Sequence, residues 1–212
     1  MAQDVIKIGS NVRLMQAAEA ELIDNGGHME MLAVAKRAGV SVGLAYHHFG
    51  SKTGLLAAVV DQFYAPLRDI SFGDAIALDQ DWAAREKART RAFIEYFYDH
   101  PFAPLIAGRL GREPEVCDIE RHHMDALLEE GARNLAQGQR QGVVSPDIVP
   151  EVVIGLLMGG LRQAIDTAIL MQKRPKKEIL LDQIWAFFER GMGLATPGRT
   201  QSRGDHNEQM GG

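Results

Sequence analysis

Apolar residues recur about every 3.6 positions along almost the whole chain, and no stretch sustains alternation of apolar and polar residues. That spacing puts one buried stripe on each of a series of helices, whereas half-buried strands need a period of two. The fold class expected is therefore all-α. Glycine, proline and serine then divide the pattern. Ser10 or Asn11 is placed to cap a first helix carrying Val12, Met15, Ala18 and Leu22, and Asn25-Gly26-Gly27 stops it. Short helices are expected at 31–38 and 42–49, separated by Gly39-Val40-Ser41. Ser51 caps a longer one reaching Arg68, with Leu55, Val59 and Phe63 on its apolar side. Residues 69–81 read as a connection. Helices follow at 82–99, 115–141, 151–172 and 176–194, and Pro104 and Pro114 bracket a short segment between the first two. The count is about nine, with no internal repeat.

Formal net charge is −5, which at first sight disfavours a nucleic-acid partner. The charge is unevenly placed. Through residue 68 the chain carries six Lys/Arg and six Asp/Glu, so the whole deficit falls in the remainder. A DNA partner for the N-terminal part is thus permitted. Cys117 is the single cysteine, which rules out an intramolecular disulfide and fits a reducing, cytoplasmic setting. The Cys117, His122, His123 group lacks metal-site spacing, so no metal and no cofactor is expected. The first nine residues are short and mixed rather than signal-like. The longest strongly apolar run, 152–161, ends at Arg162 and is about half the length a membrane span needs.

The most informative stretch is Met31–Lys52. Two short helices joined by a tight glycine-containing turn make a helix-turn-helix, whose second helix can enter a major groove. Ala35 is small where the helices cross, Gly39 permits the left-handed backbone of the turn, and Val40 plugs it. Ala45 and Phe49 point the second helix inward, which leaves Val42, Gly43, Tyr46 and His47 on its outer side. Ser41 starts that helix. Lys52 lies in the first turn of the next, where free N–H groups already favour an anion. Tyr46 and Lys52, with Ser41 at the helix start, suit phosphate contacts that set register, His47 suits a phosphate or a base edge, and Val42, Gly43 and Leu44 would meet base edges. His48, beside Phe49, reads as structural or solvated.

The run Val34-Ala35-Lys36-Arg37-Ala38-Gly39-Val40-Ser41, followed by Leu44-Ala45-Tyr46-His47-His48-Phe49-Gly50-Ser51-Lys52 and Leu55-Leu56, resembles the N-terminal domain of TetR-type regulators. The resemblance covers about residues 10–60, and the nine-helix count and length also match. It implies a homodimer, a three-helix DNA-binding domain and a divergent helical effector domain. Carried over by position, Ser41, Gly43, Tyr46, His47 and Lys52 fall on DNA-contacting sites. Three positions depart from the pattern. Glu30 replaces a usual threonine and brings a repelling charge, Val42 replaces a common basic residue, and Leu44 replaces a usual threonine. A base-reading surface richer in methyl contacts, with weaker intrinsic affinity, is inferred.

In the C-terminal part, Phe93, Tyr96, Phe97, Phe102, Met124, Leu128, Met158 and Ile165 either line an effector cavity or form plain core. His123, on the row Ile119–His123–Leu127, suits a ligand contact or a satisfied core histidine. Arg162 and Asp166, one turn apart, suit an ion pair or an anionic effector. Gly155, Gly159 and Gly160, with Leu180, Ile184, Trp185, Phe187 and Phe188, suit a four-helix dimer interface or intramolecular packing.

The expectation is a non-enzymatic, ligand-responsive repressor. It binds near-palindromic double-stranded operator DNA as a dimer and is released by a small molecule. A helical carrier or enzyme with a merely structural N-terminal motif is the alternative, although no nucleophile–base pair, phosphate loop or paired carboxylates support catalysis. The domains expected are a DNA-binding head at 1–51, a connecting helix at 52–68, an effector and dimerisation body at 69–195, and a disordered tail at 196–212.

Overall fold

The computed structural model describes residues 9–73 and 81–194. The expected disordered tail and part of the 69–81 connection lie outside these residues. Among the described residues there are ten α-helices, one 3-10 turn at Leu110–Arg112 and no strand. The helices are α1 (Ser10–Asp24), α2 (Met31–Ala38), α3 (Val42–Phe49), α4 (Lys52–Tyr64), α5 (Leu67–Phe72), α6 (Trp82–Asp99), α7 (Ala103–Ala107), α8 (Pro114–Arg140), α9 (Pro150–Leu170) and α10 (Lys177–Gly191).

Local chemistry explains most boundaries. The Ser41, Ser51 and Asp81 side chains accept the backbone N–H groups of Leu44, Gly54 and Ala84, satisfying orphan donors at the starts of α3, α4 and α6. Pro104, Pro114 and Pro150 stand in the first turns of α7, α8 and α9, where a missing N–H costs nothing. Gly39 closes α2 at φ 66°, and the Val40 N–H then returns to the Ala35 carbonyl.

Two expectations change. α1 has Gly9 at its N-cap position with no side-chain cap, because the Ser10 hydroxyl is engaged by His48 Nε2 at 2.8 Å. The helix expected to reach Arg68 ends at Tyr64, since Pro66 has no N–H to continue the ladder and its ring crowds the carbonyl one turn back. The chain restarts as α5, which is the element added to the expected nine.

The N-terminal helices close around Leu14, Ala18, Leu22, Val34, Ala35, Ala45 and Leu55, all nearly inaccessible. α4 packs against α1 and α3 on one side and α8 on the other, so it joins the three-helix head to the body. In the body α8 packs on α9, and α6 on α10 and α5. By length and composition α9 is apolar enough to cross a membrane. It carries the Arg162–Asp166 pair, half-buried, and packs against α7, α8 and α10. Among the described residues no three His, Cys, Asp or Glu side chains are grouped to hold a metal ion.

Candidate nucleic-acid interface

The rim of the head is built by α3 and the start of α4. Ala45 is completely buried and anchors α3, while Phe49 is half-buried against the core. The opposite side of α3 is consequently open. Ser41, Gly43, Tyr46 and His47 are exposed there, Tyr46 at 49%. Gly54 sets how α4 leaves: a Cβ at that position would lie 2.2 Å from the Phe49 carbonyl oxygen, so only glycine lets α4 start this close to the end of α3. Lys52, the first residue of α4, therefore stands beside α3 with its side chain half exposed. Tyr46 and His47 on α3 and Lys52 in the first turn of α4 are thus all open to solvent, while the Gly54 N–H at the α4 terminus is taken by the Ser51 hydroxyl.

The expected base-reading residues are less uniform. Gly43 is open, but Val42 and Leu44 are half-buried, and Val42 packs onto the core. Its hydrocarbon finds neighbours within the head as well as facing outward. Glu30 occupies the N-cap position of α2 without capping it, and its carboxylate instead meets Lys52 Nζ at 3.1 Å. Glu30, an out-of-place charge in the sequence pattern, thus finds a partner 22 positions away, a pairing that no local spacing signals. Arg37 is turned away from the rim, pairing with Asp24 at 2.5 Å and Glu21 at 3.4 Å; the Asp24 bond raises its pKa further.

The predicted effector residues separate into three places. Phe93 and Met158 line a cavity of about 70 Å³ between α5, α6, α8, α9 and α10. Phe97 and Phe102 are buried instead with Phe63 in an aromatic cluster, with ring centroids 5.4 and 5.7 Å from the Phe63 ring, and half-buried Tyr96 joins them at 5.6 Å. Ile165 is core, and Met124 and Leu128 are half-buried on α8. None of these six lines the cavity, because rows of aromatics at helical spacing fill the space between helices first.

His123 and Arg162 likewise lie outside the cavity and join α4 to the body. His123 Nε2 is 2.9 Å from Asp61 Oδ1, with its ring stacked on Tyr64 at 5.9 Å. Arg162 pairs with Asp166 and with Glu120 at 3.0 Å, approaches the Tyr64 hydroxyl at 3.5 Å, and lies 4.5 Å above the Phe97 ring. Of the alternatives for Arg162, the ion pair is what forms. Burial pushes the Tyr64 phenol well above its ordinary pKa, with the Arg162 charge opposing, so it stays protonated and available as a donor.

The cavity's polar wall was not anticipated. Glu86, Arg89 and Thr90 from α6, with Asn134 from α8, meet the apolar surface of Phe93, Leu157, Trp185 and Phe188. Arg89 pairs with Glu86, and its guanidinium lies 5.3 Å from the Phe72 ring centroid. Burial raises the Glu86 pKa, opposed by Arg89 and by a hydrogen bond from Asn134. In a sequence such residues look like the solvated face of an amphipathic helix. The only signal was their position on the same side of α6 as Phe93.

The dimer candidates divide by one residue of helical register. Leu180, Ile184, Trp185 and Phe188 are buried within the protomer, and Trp185 and Phe188 line the cavity, so of the two alternatives these four take the intramolecular packing. Phe187 is 60% exposed, beside Ile179 on α10, and Gly155, Gly159 and Gly160 face open space on α9 with Val152 and Leu156.

Comparison with known proteins agrees with this geometry. Residues 14–59 match the family model described as bacterial regulatory proteins of the tetR family, a span that covers α2, α3 and most of α1 and α4. The HTH-type transcriptional regulator UidR of Escherichia coli is 27% identical over 158 residues, covering 70% of this chain and 76% of that protein. Among solved structures, a TetR-family regulator from a Rhodococcus species aligns with TM-score 0.71 at 18% identity, covering 86% of this chain and 98% of that one. FadR of Bacillus subtilis, solved with stearoyl-CoA, aligns with TM-score 0.73 at 14% identity, covering 85% and 98%. The matched segment spans the helix-turn-helix and the likeness of fold extends through the body, so the chain carries a TetR-type helix-turn-helix segment and is similar to transcriptional regulators of that family.

Proposed function

We propose that this regulator is a cytoplasmic, dimeric repressor that holds near-palindromic operator DNA and releases it when a small molecule enters the α5–α10 cavity. The observation that carries the reading is the open edge formed by Tyr46, His47 and Lys52, one helix away from the body. Tyr46 and Lys52 would bind phosphates, with Ser41 and His47 beside them. Gly43, with the outward parts of Val42 and Leu44, would meet base edges. The exposed apolar strip of Val152, Leu156 and Phe187, next to the three α9 glycines, supports pairing of two copies through α9 and α10. A two-fold pair presents its α3 helices to grooves about 34–36 Å apart.

The release step is supported by chain connectivity. The head is residues 9–51, α4 the connector, and the body runs from α5 onward. α5 directly follows α4 and supplies Ser71 and Phe72 to the cavity wall. A ligand that moves α5 therefore acts on α4, which carries the Asp61–His123 and Tyr64–Arg162 contacts and holds the head. Release then follows if the ligand prefers a conformer whose heads no longer match successive grooves. FadR shows a ligand in a protein of this fold. With about 70 Å³ of open space, the present cavity fits a smaller ligand than a long acyl chain.

A gel-shift titration of the full chain against DNA flanking its own gene tests the reading. A retarded complex that competes poorly with random duplex is expected. Equal binding to any duplex, or none, contradicts it.

A further inference from the structure

We propose that the α5–α10 cavity takes a compact, uncharged ligand, an apolar ring or short chain bearing one oxygen acceptor that pairs with Arg89. The inference rests on reading this cavity as the effector site. Its starting point is an orphaned donor. Arg89 Nε is buried and has no hydrogen-bond partner among the described residues, while its Nη1 is committed to Glu86. The Phe72 ring beneath the guanidinium keeps the group at the cavity wall. Buried N–H groups are normally paired, so an acceptor brought into this space is favoured over an apolar group there.

The charge balance excludes ions. Glu86 is paired with Arg89 and also receives Asn134, so the residues that line the polar wall carry no net charge, with Arg85 acting on Glu86 from outside the lining. The Thr90 hydroxyl is engaged with the Glu86 carbonyl oxygen at 2.9 Å and adds no free donor. A ligand carboxylate would leave one uncompensated negative charge, and an ammonium one positive charge, in a cavity whose remaining wall is largely apolar; either is penalised by desolvation. An amide, ketone or hydroxyl oxygen meets the free N–H without disturbing that balance. Opposite the pair, Phe93, Leu157, Trp185 and Phe188 give the rest of the molecule an apolar, largely aromatic bed, and about 70 Å³ of open space suits a compact molecule.

Calorimetry and saturation-transfer NMR on the whole chain, using benzamide, benzoate and benzylammonium as probes of nearly equal size, test the proposal. Benzamide is expected to bind at least tenfold more tightly than either ion. Arg89→Lys keeps the positive charge beside Glu86 and removes the Nε donor. It should weaken benzamide at least fivefold and leave toluene, which has no acceptor, unchanged. Glu86→Gln removes the balancing charge and should reverse the preference, with benzoate gaining at least tenfold. If Arg89→Lys does not fold, that reversal decides alone. Parity among the probes, no binding by any of them, an unaffected Arg89→Lys protein or no gain for benzoate in Glu86→Gln overturns the proposal. Anisotropy of a bound operator duplex separates the two readings. Benzamide binding without operator release contradicts ligand-released repression but upholds the ligand chemistry. Release by a charged probe alone does the reverse.

Discussion

Glu30 Oε1 stands 3.1 Å from Lys52 Nζ, so a carboxylate already occupies the lysine that faces the open edge of the head. If Lys52 binds a phosphate as proposed, DNA has to displace that carboxylate first, and the acid then remains close to the backbone. Replacing Glu30 by Gln removes the competitor and a repulsion together. Affinity for operator and for random duplex should rise about two- to fivefold, in line with an exposed ion pair worth up to about 1 kcal/mol. Anisotropy titrations at fixed salt measure it.

Gly138 belongs to the packing of the body. A Cβ there would lie 2.6 Å from Val144 Cγ2 and 3.0 Å from Trp82 Cε2, and an indole held in the core cannot step aside cheaply. Gly138→Ala should destabilise the protein by about 1–3 kcal/mol through overpacking. Urea unfolding with an unchanged slope gives the value.

Phe187 is 60% exposed beside Ile179, in contrast to its buried neighbours Ile184 and Phe188. If α9 and α10 pair across a two-fold axis, Phe187→Glu places two charges in one apolar seam. The protein should become monomeric in analytical ultracentrifugation, with helical content retained and operator binding weakened.

His100 links acidity to stability. Its Nδ1 accepts the Phe102 N–H at 3.2 Å, which requires an unprotonated nitrogen, and its ring packs against Phe63 at 4.8 Å. Burial lowers its pKa, and Glu19, 3.9 Å away, opposes this. The unfolded chain therefore takes up the proton first as pH falls, so this contribution is complete above the ordinary histidine pKa of about 6.5 and is lost below it. Thermal melts between about pH 7.5 and 5.5 should show a larger loss for the parent protein than for His100→Asn, which keeps an acceptor without titrating.

The head was legible because its punctuation is covalent chemistry. Gly39 and Gly50 supply positive φ, Ser41 and Ser51 supply caps, and these residues placed α2 and α3 to the residue. Apolar periodicity likewise located α6, but it overran Pro66. The body was legible as helices and not as a site. Phe97, Phe102 and Ile165 carry the same spacing whether they line a cavity or fill a core. Glu86 and Arg89 form their pair inside the body, yet in a sequence an acid and a base one turn apart look like a surface pair. Register on α10 was ambiguous for a related reason. Both of its faces are apolar, so pattern alone did not separate inward Ile184 from outward Phe187.

The most direct measurement is the salt dependence of operator binding by the parent protein and Lys52→Ala, read as log affinity against log salt. Each phosphate contact contributes nearly one unit of slope, so the variant should bind every duplex more weakly with a slope shallower by about one. A folded Lys52→Ala protein with the parent's affinity and slope would contradict the assignment of this edge to DNA.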